Sequence, residues 1–281
     1  MLRTRIITAV VLLAILLPAL FYPSPEPFCA LALLLIAAGG WEWSRLNGRA
    51  GAGAWVLAVV SVLLCAGSWA LGWLQTPLPL LWQAAGLFWV LAGAALLRVG
   101  VAGWPRIPQG VRLAGGVLAL WLAWLAMAQA RFIGINFLLS AFVLVWVADI
   151  AAYFAGRAFG GRIARGKLAP GISPGKSWEG VWGGMAGVLL LAVCWVAADA
   201  RLQAAVPSLY TLLAARGAGL LVLAVLFLAA MSVVGDLVES LIKRSAGVKD
   251  SSGLLPGHGG VLDRVDALLP TLPLVMMLAV A

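Results

Sequence analysis

Two stretches of this chain bring acids, lysines, serines and glycines together, and between them they hold most of its ten acids and every lysine. The first opens with Asp149-Ile-Ala-Ala-Tyr153, passes through a basic run with Arg157, Arg162, Arg165 and Lys167, and closes with Ile172-Ser173-Pro174-Gly175-Lys176-Ser177-Trp178-Glu179-Gly180. The second runs from Gly235-Asp236-Leu237-Val238-Glu239-Ser240 through Lys243-Arg244 and Lys249-Asp250 to Pro256-Gly257-His258-Gly259-Gly260 and Asp263-Arg264-Val265-Asp266. Paired carboxylates beside glycine-rich backbone suit a hard cation with oxygen ligands, and Mg2+ ordinarily takes one or two protein carboxylates together with substrate phosphates. Glycine-rich backbone also presents N–H groups to phosphate. These residue types therefore favour metal-assisted reaction at phosphate. The plainer alternative for Asp263 and Asp266 is a polar loop that caps a helix. Gly175-Lys176-Ser177 mimics the end of a P-loop, but position 170 is proline where that motif needs glycine. Lys176 remains suited to phosphate as a point charge.

The elements that must position these residues are membrane helices. The 281 residues are 64% apolar and only 10% charged, against about a quarter charged in an ordinary globular domain. A soluble enzyme, a secreted disulfide scaffold and a disordered chain are thereby excluded. Apolar stretches of spanning length lie at roughly 6–22, 28–44, 55–74, 79–97, 113–130, 133–155, 181–198, 217–235 and 267–281. They predict an all-α polytopic membrane protein with about nine transmembrane helices. The last is short and contains Pro270 and Pro273, so a kinked or tilted span is expected there. Arg3 and Arg5 before an apolar core resemble a signal peptide, but no small-x-small cleavage pattern follows, and a retained helix is expected. Cys29, Cys65 and Cys194 sit in apolar runs and read as small buried hydrophobes. Trp41, Trp43, Trp55, Trp73, Trp104 and Trp178 lie near span ends and read as interfacial anchors. Gly183, Gly184 and Gly187 predict close helix packing.

With the N-terminus inside, every one of the 19 basic residues except Arg131, Arg201 and Arg216 falls in an inner segment. The net charge of +9 then reports orientation rather than nucleic-acid binding. Both chemistry-bearing stretches end on that inner face and can form one site. An ionised carboxylate within a span costs about 3 kcal/mol or more unless partnered, which marks Asp149, Asp236 and Glu239 as functional candidates. Asp236, Glu239, Ser240 and Lys243 stand at i, i+3, i+4 and i+7, on one helix face. For Glu239 and Lys243 the alternative is an ion pair that solvates a helix end.

The run from Ser240 to Asp266, with Gly235-Asp236-Leu-Val-Glu239, Ile172 to Gly180 and Asp149-Ile-Ala-Ala-Tyr153 upstream, resembles the signature of phosphatidate cytidylyltransferases, also called CDP-diacylglycerol synthases. The resemblance covers the C-terminal half. The first ~130 residues match only as membrane helices, and Gly175 stands where a second lysine is common in the family. The resemblance implies transfer of a cytidylyl group from CTP to phosphatidic acid, giving CDP-diacylglycerol and pyrophosphate, with Mg2+ and room for a second cation. It implies Asp236 and Asp263 as first-choice metal ligands, Asp266 as a further one, and Lys243 and Lys249 beside the two aspartates as catalytic residues. Lys176, Ser177, Ser240, Lys243, Arg244, Lys249, His258 and Arg264 are implied to contact nucleotide or lipid phosphate, with His258 a turn residue or phosphate donor rather than a base. Asp149 either orients a lysine or contributes to the cation site. The basic loop 157–167 reads as inside charge or as attraction for anionic headgroups.

The expected division is an N-terminal set of about five spans, 1–132, and a catalytic region, 133–281, with cytoplasmic loops 156–180 and 236–266. Expected partners are CTP, phosphatidic acid and membrane lipids, with no nucleic acid and a homodimer left open. The expected place is a bacterial inner membrane, with the site facing the cytoplasm. Two rivals share the residues: a CTP-dependent lipid kinase, which transfers the γ-phosphoryl group, and a cation-coupled transporter using Asp149 and Asp236. Placement of both acids near one face counts against transport, which favours a midplane site.

Overall fold

A computed structural model describes residues 2–164 and 166–280, so Arg165 of the basic run lies outside the described residues. Each apolar stretch is helical over most of its described residues. The helices are α1 (Leu2–Phe21), α2 (Glu26–Leu46), α3 (Ala52–Ala70), α4 (Pro79–Gly103), α5 (Gln109–Ile133), α6 (Ile135–Phe159), α7 (Trp178–Leu202), α8 (Leu209–Ala215), α9 (Ala218–Ser245), α10 (Leu262–Val265) and α11 (Leu268–Val280). Eight of them, α1 to α7 and α9, are long and apolar enough to cross a membrane. The protein is an all-α integral membrane protein.

The ninth expected span departs from the other eight. α11 has 13 residues, or about 20 Å at 1.5 Å per residue. Most of it is buried inside the bundle, where it packs on α4, α5, α9 and α6. A helix shielded by its neighbours has no need to match the bilayer thickness. α9 errs in the opposite direction. Its 28 residues reach about 42 Å, beyond a hydrocarbon core of about 30 Å. The surplus turns at its basic end carry Asp236, Glu239, Ser240 and Lys243.

Small residues set the α6–α7 contact. A Cβ on Gly184 would stand 2.9 Å from the Ala148 carbonyl oxygen, and one on Gly180 would stand 3.1 Å from that of Ala152. No side chain can yield there because the obstacle is backbone. Gly184→Val is expected to cost about 1–3 kcal/mol through overpacking, visible as a melting temperature lower by several degrees in detergent. An unchanged melting temperature would show that the two helices separate freely.

Two of the three basic residues expected outside have structural partners. Arg131 donates to the Leu20 and Tyr22 carbonyls at the end of α1, and Arg216 to those of Leu278 and Ala279 at the end of α11, as basic residues do at helix C-termini. The buried Asp199 accepts from Asn136, the Ser208 amide and Thr211, and so fixes α8 at this same end. The tryptophans divide. Trp55 and Trp178 are exposed as anchors should be, but Trp43 and Trp104 are buried within the protein, where their rings meet edge to face at 5.9 Å. Close packing of α2, α5 and the segment after α4 withdraws them from the interface.

Candidate active site

Between α6 and α7 the chain is a hairpin rather than a loop. β1 (Lys167–Ala169) pairs antiparallel with β2 (Ser173–Ser177), and Ser177 caps α7 by accepting from the Gly180 amide at 3.2 Å. Glu179, buried in the first turn of α7, accepts the amides of Gly161, Ile163 and Ala164 at 2.9 to 3.0 Å. That carboxylate ties the end of α6 to the start of α7. The hairpin is thereby held over the end of the bundle where α6 stops and α7 starts.

A cavity of about 430 Å3 opens there, lined by Asp149, Tyr153, Arg157, Lys176, Ser177 and Asp236 over an apolar floor. Asp149, Tyr153 and Arg157 stand at i, i+4 and i+8 of α6 and so share the face turned to the cavity. Lys176, carried by β2, meets Asp236 of α9 at 2.5 Å, and the Ser240 hydroxyl donates to the same carboxylate at 3.2 Å. The two segments that the sequence marks therefore meet in one polar cavity with both signs of charge. The N-terminus of α7 also borders it, through Ser177, Gly180 and Val181, a position where helix N–H groups and dipole favour anions.

A second cluster lies further along α9. Lys243 contacts Glu239 and Asp263, each at 2.5 Å. The other Asp263 oxygen accepts from the Ser251 amide and hydroxyl, both at 2.9 Å, and from the Gly260 amide at 2.7 Å. Burial alone would raise the Asp263 pKa, but Lys243 and these amides outweigh it and hold the group down at about 2. Asp266 is displaced the other way, upward, by burial and then by the Asp236 carboxylate. Both Asp263 oxygens are thus engaged within the protein, while Asp236 is partly exposed to the cavity. Among the described residues no three His, Cys, Asp or Glu side chains converge as a self-sufficient metal site.

The remaining sequence candidates sit outside the cavity lining. Arg244 in the last turn of α9 and Lys249 on the turn after it are exposed. His258 lies in a tight turn, its amide donating to Leu255 and its carbonyl accepting from Arg264.

Sequence reasoning missed Glu42. This residue of α2 is fully buried and accepts four bonds from the signature loop: Ser252 hydroxyl and Val261 amide on one oxygen, Ser251 hydroxyl and Leu262 amide on the other, at 2.5 to 3.2 Å. α1 adds a bond from Thr8 to the Pro256 carbonyl. The N-terminal helices therefore act as a mould for the loop that presents Asp263. The available signal was an acid inside an apolar stretch. Glu42→Gln replaces one of the two acceptor oxygens by an NH2 donor facing N–H and O–H groups, and each buried group left unpaired costs about 1–3 kcal/mol. Faster amide exchange over 251–262 and a turnover loss of about tenfold are expected. Unchanged exchange in the loop would remove Glu42 from this role.

The comparisons with known proteins agree with this geometry. The chain matches the profile of the Cytidylyltransferase family over residues 3–281. It is 41% identical to a protein of Pseudomonas aeruginosa named phosphatidate cytidylyltransferase, over 97% of this chain and 95% of that one. A protein of the same name from Haemophilus influenzae is 39% identical over 97% and 96%, and one from Brucella suis 37% identical over 95% and 89%. The match runs through the N-terminal helices as well as the signature segments, and the chain belongs to the cytidylyltransferase family.

Proposed function

We propose that the protein transfers the cytidylyl group of CTP to phosphatidic acid, forming CDP-diacylglycerol and pyrophosphate for phospholipid synthesis. The observation that carries this reading is the polar cavity that collects Asp149, Arg157, Lys176 and Asp236 at one end of the helix bundle. A phosphate monoester is already largely dianionic near pH 7, so its oxygen needs no strong base to attack the α-phosphorus. The new P–O bond forms as the bond from the α-phosphorus to the bridging oxygen breaks, and pyrophosphate leaves with that electron pair. The task left to the protein is placement and charge neutralisation. Lys176 and Arg157 offer cationic donors to the nucleotide, and the N-terminus of α7 offers amides. Lys176 can exchange its bond to Asp236 for one to phosphate when CTP enters.

The donor set fits Mg2+ in its usual mode, one or two carboxylates plus substrate phosphates. Asp236 would hold it, with Asp149 of the same cavity and Asp266 as further candidate ligands. The cation would supply neutralisation of the triphosphate. Asp263 serves the site through Lys243, whose ammonium it fixes between two carboxylates. The basic end of the bundle, and hence the cavity, faces the cytoplasm of a bacterial inner membrane in this reading.

Detergent-solubilised protein given CTP, phosphatidic acid and Mg2+ is expected to release pyrophosphate and CDP-diacylglycerol in equal amounts, with α-labelled CTP marking the lipid and γ-labelled CTP marking pyrophosphate. Label from the γ position in lipid would select the kinase instead. Absence of nucleotide turnover would contradict the proposal and favour transport.

A further inference from the structure

Tyr153 is the one aromatic side chain among the described residues that line the polar cavity. It stands one turn of α6 after Asp149 and one before Arg157, a rise of about 6 Å at each step. Its ring is 59% exposed, so a flat ligand can reach its face. Two contacts hold the ring in place: Phe154 meets it edge to face at 5.4 Å, and its hydroxyl accepts from Arg157 Nη1 at 3.1 Å. Arg157 is exposed and makes no other hydrogen bond among the described residues, which leaves most of its five N–H donors for a ligand.

A nucleotide makes two demands on a site. Its phosphates call for cations and amides, which Lys176 and the N-terminus of α7 supply. Its base is a flat ring with a polar edge, and calls for an aromatic face to stack on and for donors or acceptors along that edge. Leu168, Val181, Met185 and Val233 of the cavity wall are not aromatic and carry no side-chain donor, so they meet neither demand. Cytosine presents two neighbouring acceptors, O2 and N3. The planar fork of arginine suits such a pair, as it suits O6 and N7 of guanine. Uracil carries a hydrogen on N3, which sets a donor against the N–H groups of the fork.

We propose that Tyr153 and Arg157 select the nucleobase: the Tyr153 ring stacks on cytosine, and the Arg157 guanidinium, steadied by the Tyr153 hydroxyl, donates to O2 and N3 and rejects uracil. This inference rests on the reading that CTP binds in the polar cavity, and deepens it by dividing the wall into a part for the base and a part for the phosphates. Both specificity residues come from one face of α6, so the spacing of a single helix sets the distance between the base and the carboxylate of Asp149.

The test titrates full-length protein in detergent and Mg2+ with CTP, UTP and inorganic tripolyphosphate, reading dissociation constants by calorimetry. Tyr153→Leu is expected to weaken CTP binding about tenfold or more and to leave tripolyphosphate binding unchanged, which also shows that the variant folds. Tyr153→Phe keeps the ring and should bind CTP within about threefold of the unaltered protein. Arg157→Lys keeps the charge but not the fork, and the preference for CTP over UTP should fall about tenfold or more. Equal weakening of CTP and tripolyphosphate in Tyr153→Leu or Arg157→Lys would overturn the proposal, because the pair would then hold phosphate. Unchanged CTP binding in Tyr153→Leu would overturn it by leaving the ring as an interfacial anchor, and an unchanged preference in Arg157→Lys by removing the guanidinium from the base edge. Absence of CTP binding by the unaltered protein would overturn it together with the nucleotide reading on which it rests.

Discussion

Asp236→Asn is expected to reduce cytidylyl transfer at least about a thousandfold, equivalent to roughly 4 kcal/mol of transition-state stabilisation, while the protein still folds. The substitution is nearly isosteric, and Ser240 can still donate to the amide oxygen. What disappears is the negative charge opposite Lys176 and in the cavity that Asp149 and Arg157 also line. Without it, Lys176 loses the carboxylate it is bonded to before CTP arrives, and the cation loses its exposed carboxylate. A melting temperature close to that of the unaltered protein is the control, since a partly exposed ion pair contributes little to stability. Near-normal turnover would remove Asp236 from the chemistry.

The second large effect is expected at Asp263. Here Asn should lower both turnover, by about a hundredfold, and stability. Lys243 would keep only Glu239, and one side of the loop clamp formed with Ser251 and Gly260 would be altered. The carboxyl is held at about 2, below its ordinary value. Its contribution to stability is therefore complete above an unfolded pKa of about 3.9 and is lost as pH falls from there towards about 2. The unaltered protein should show a fall in melting temperature across that window, and Asp263→Asn should show a smaller one. Equal slopes for the two proteins would mean that the Lys243–Asp263 pair does not act as described.

How much of this was readable in the sequence follows from how each residue signals itself. Eight spans, the merging of the two polar segments and the pairing of faces on α9 came from apolar length and i, i+4 spacing, which are local properties. Asp149, Lys176 and Asp236 stood out because charge is rare in the chain, and the structure brings all three to one cavity. The hairpin over 167–177 carries no alternating apolar pattern and was read as loop. Its register comes from the turn and from Glu179, whose partners lie 15 to 18 residues upstream. Glu42 was missed because its partners are more than 200 residues away, a separation no periodicity reveals. The expectation that Trp43 and Trp104 anchor the interface failed for the same reason: span-end position says nothing about which neighbour covers the ring. α11 read as a short, kinked or tilted span because hydropathy cannot tell a lipid-facing helix from a protein-buried one.

The most direct measurement of the central claim, that the nucleotide binds in the polar cavity between α6, α7 and α9, is mapping with a photoreactive CTP analogue labelled at the α-phosphate. The expected result is label confined to peptides covering 149–185 and 229–240, suppressed by excess CTP and sharply reduced in Asp236→Asn. Label that CTP displaces but that maps to peptides around Trp89 and Trp104, or to the exposed turn around Arg244 and Lys249, would contradict the account.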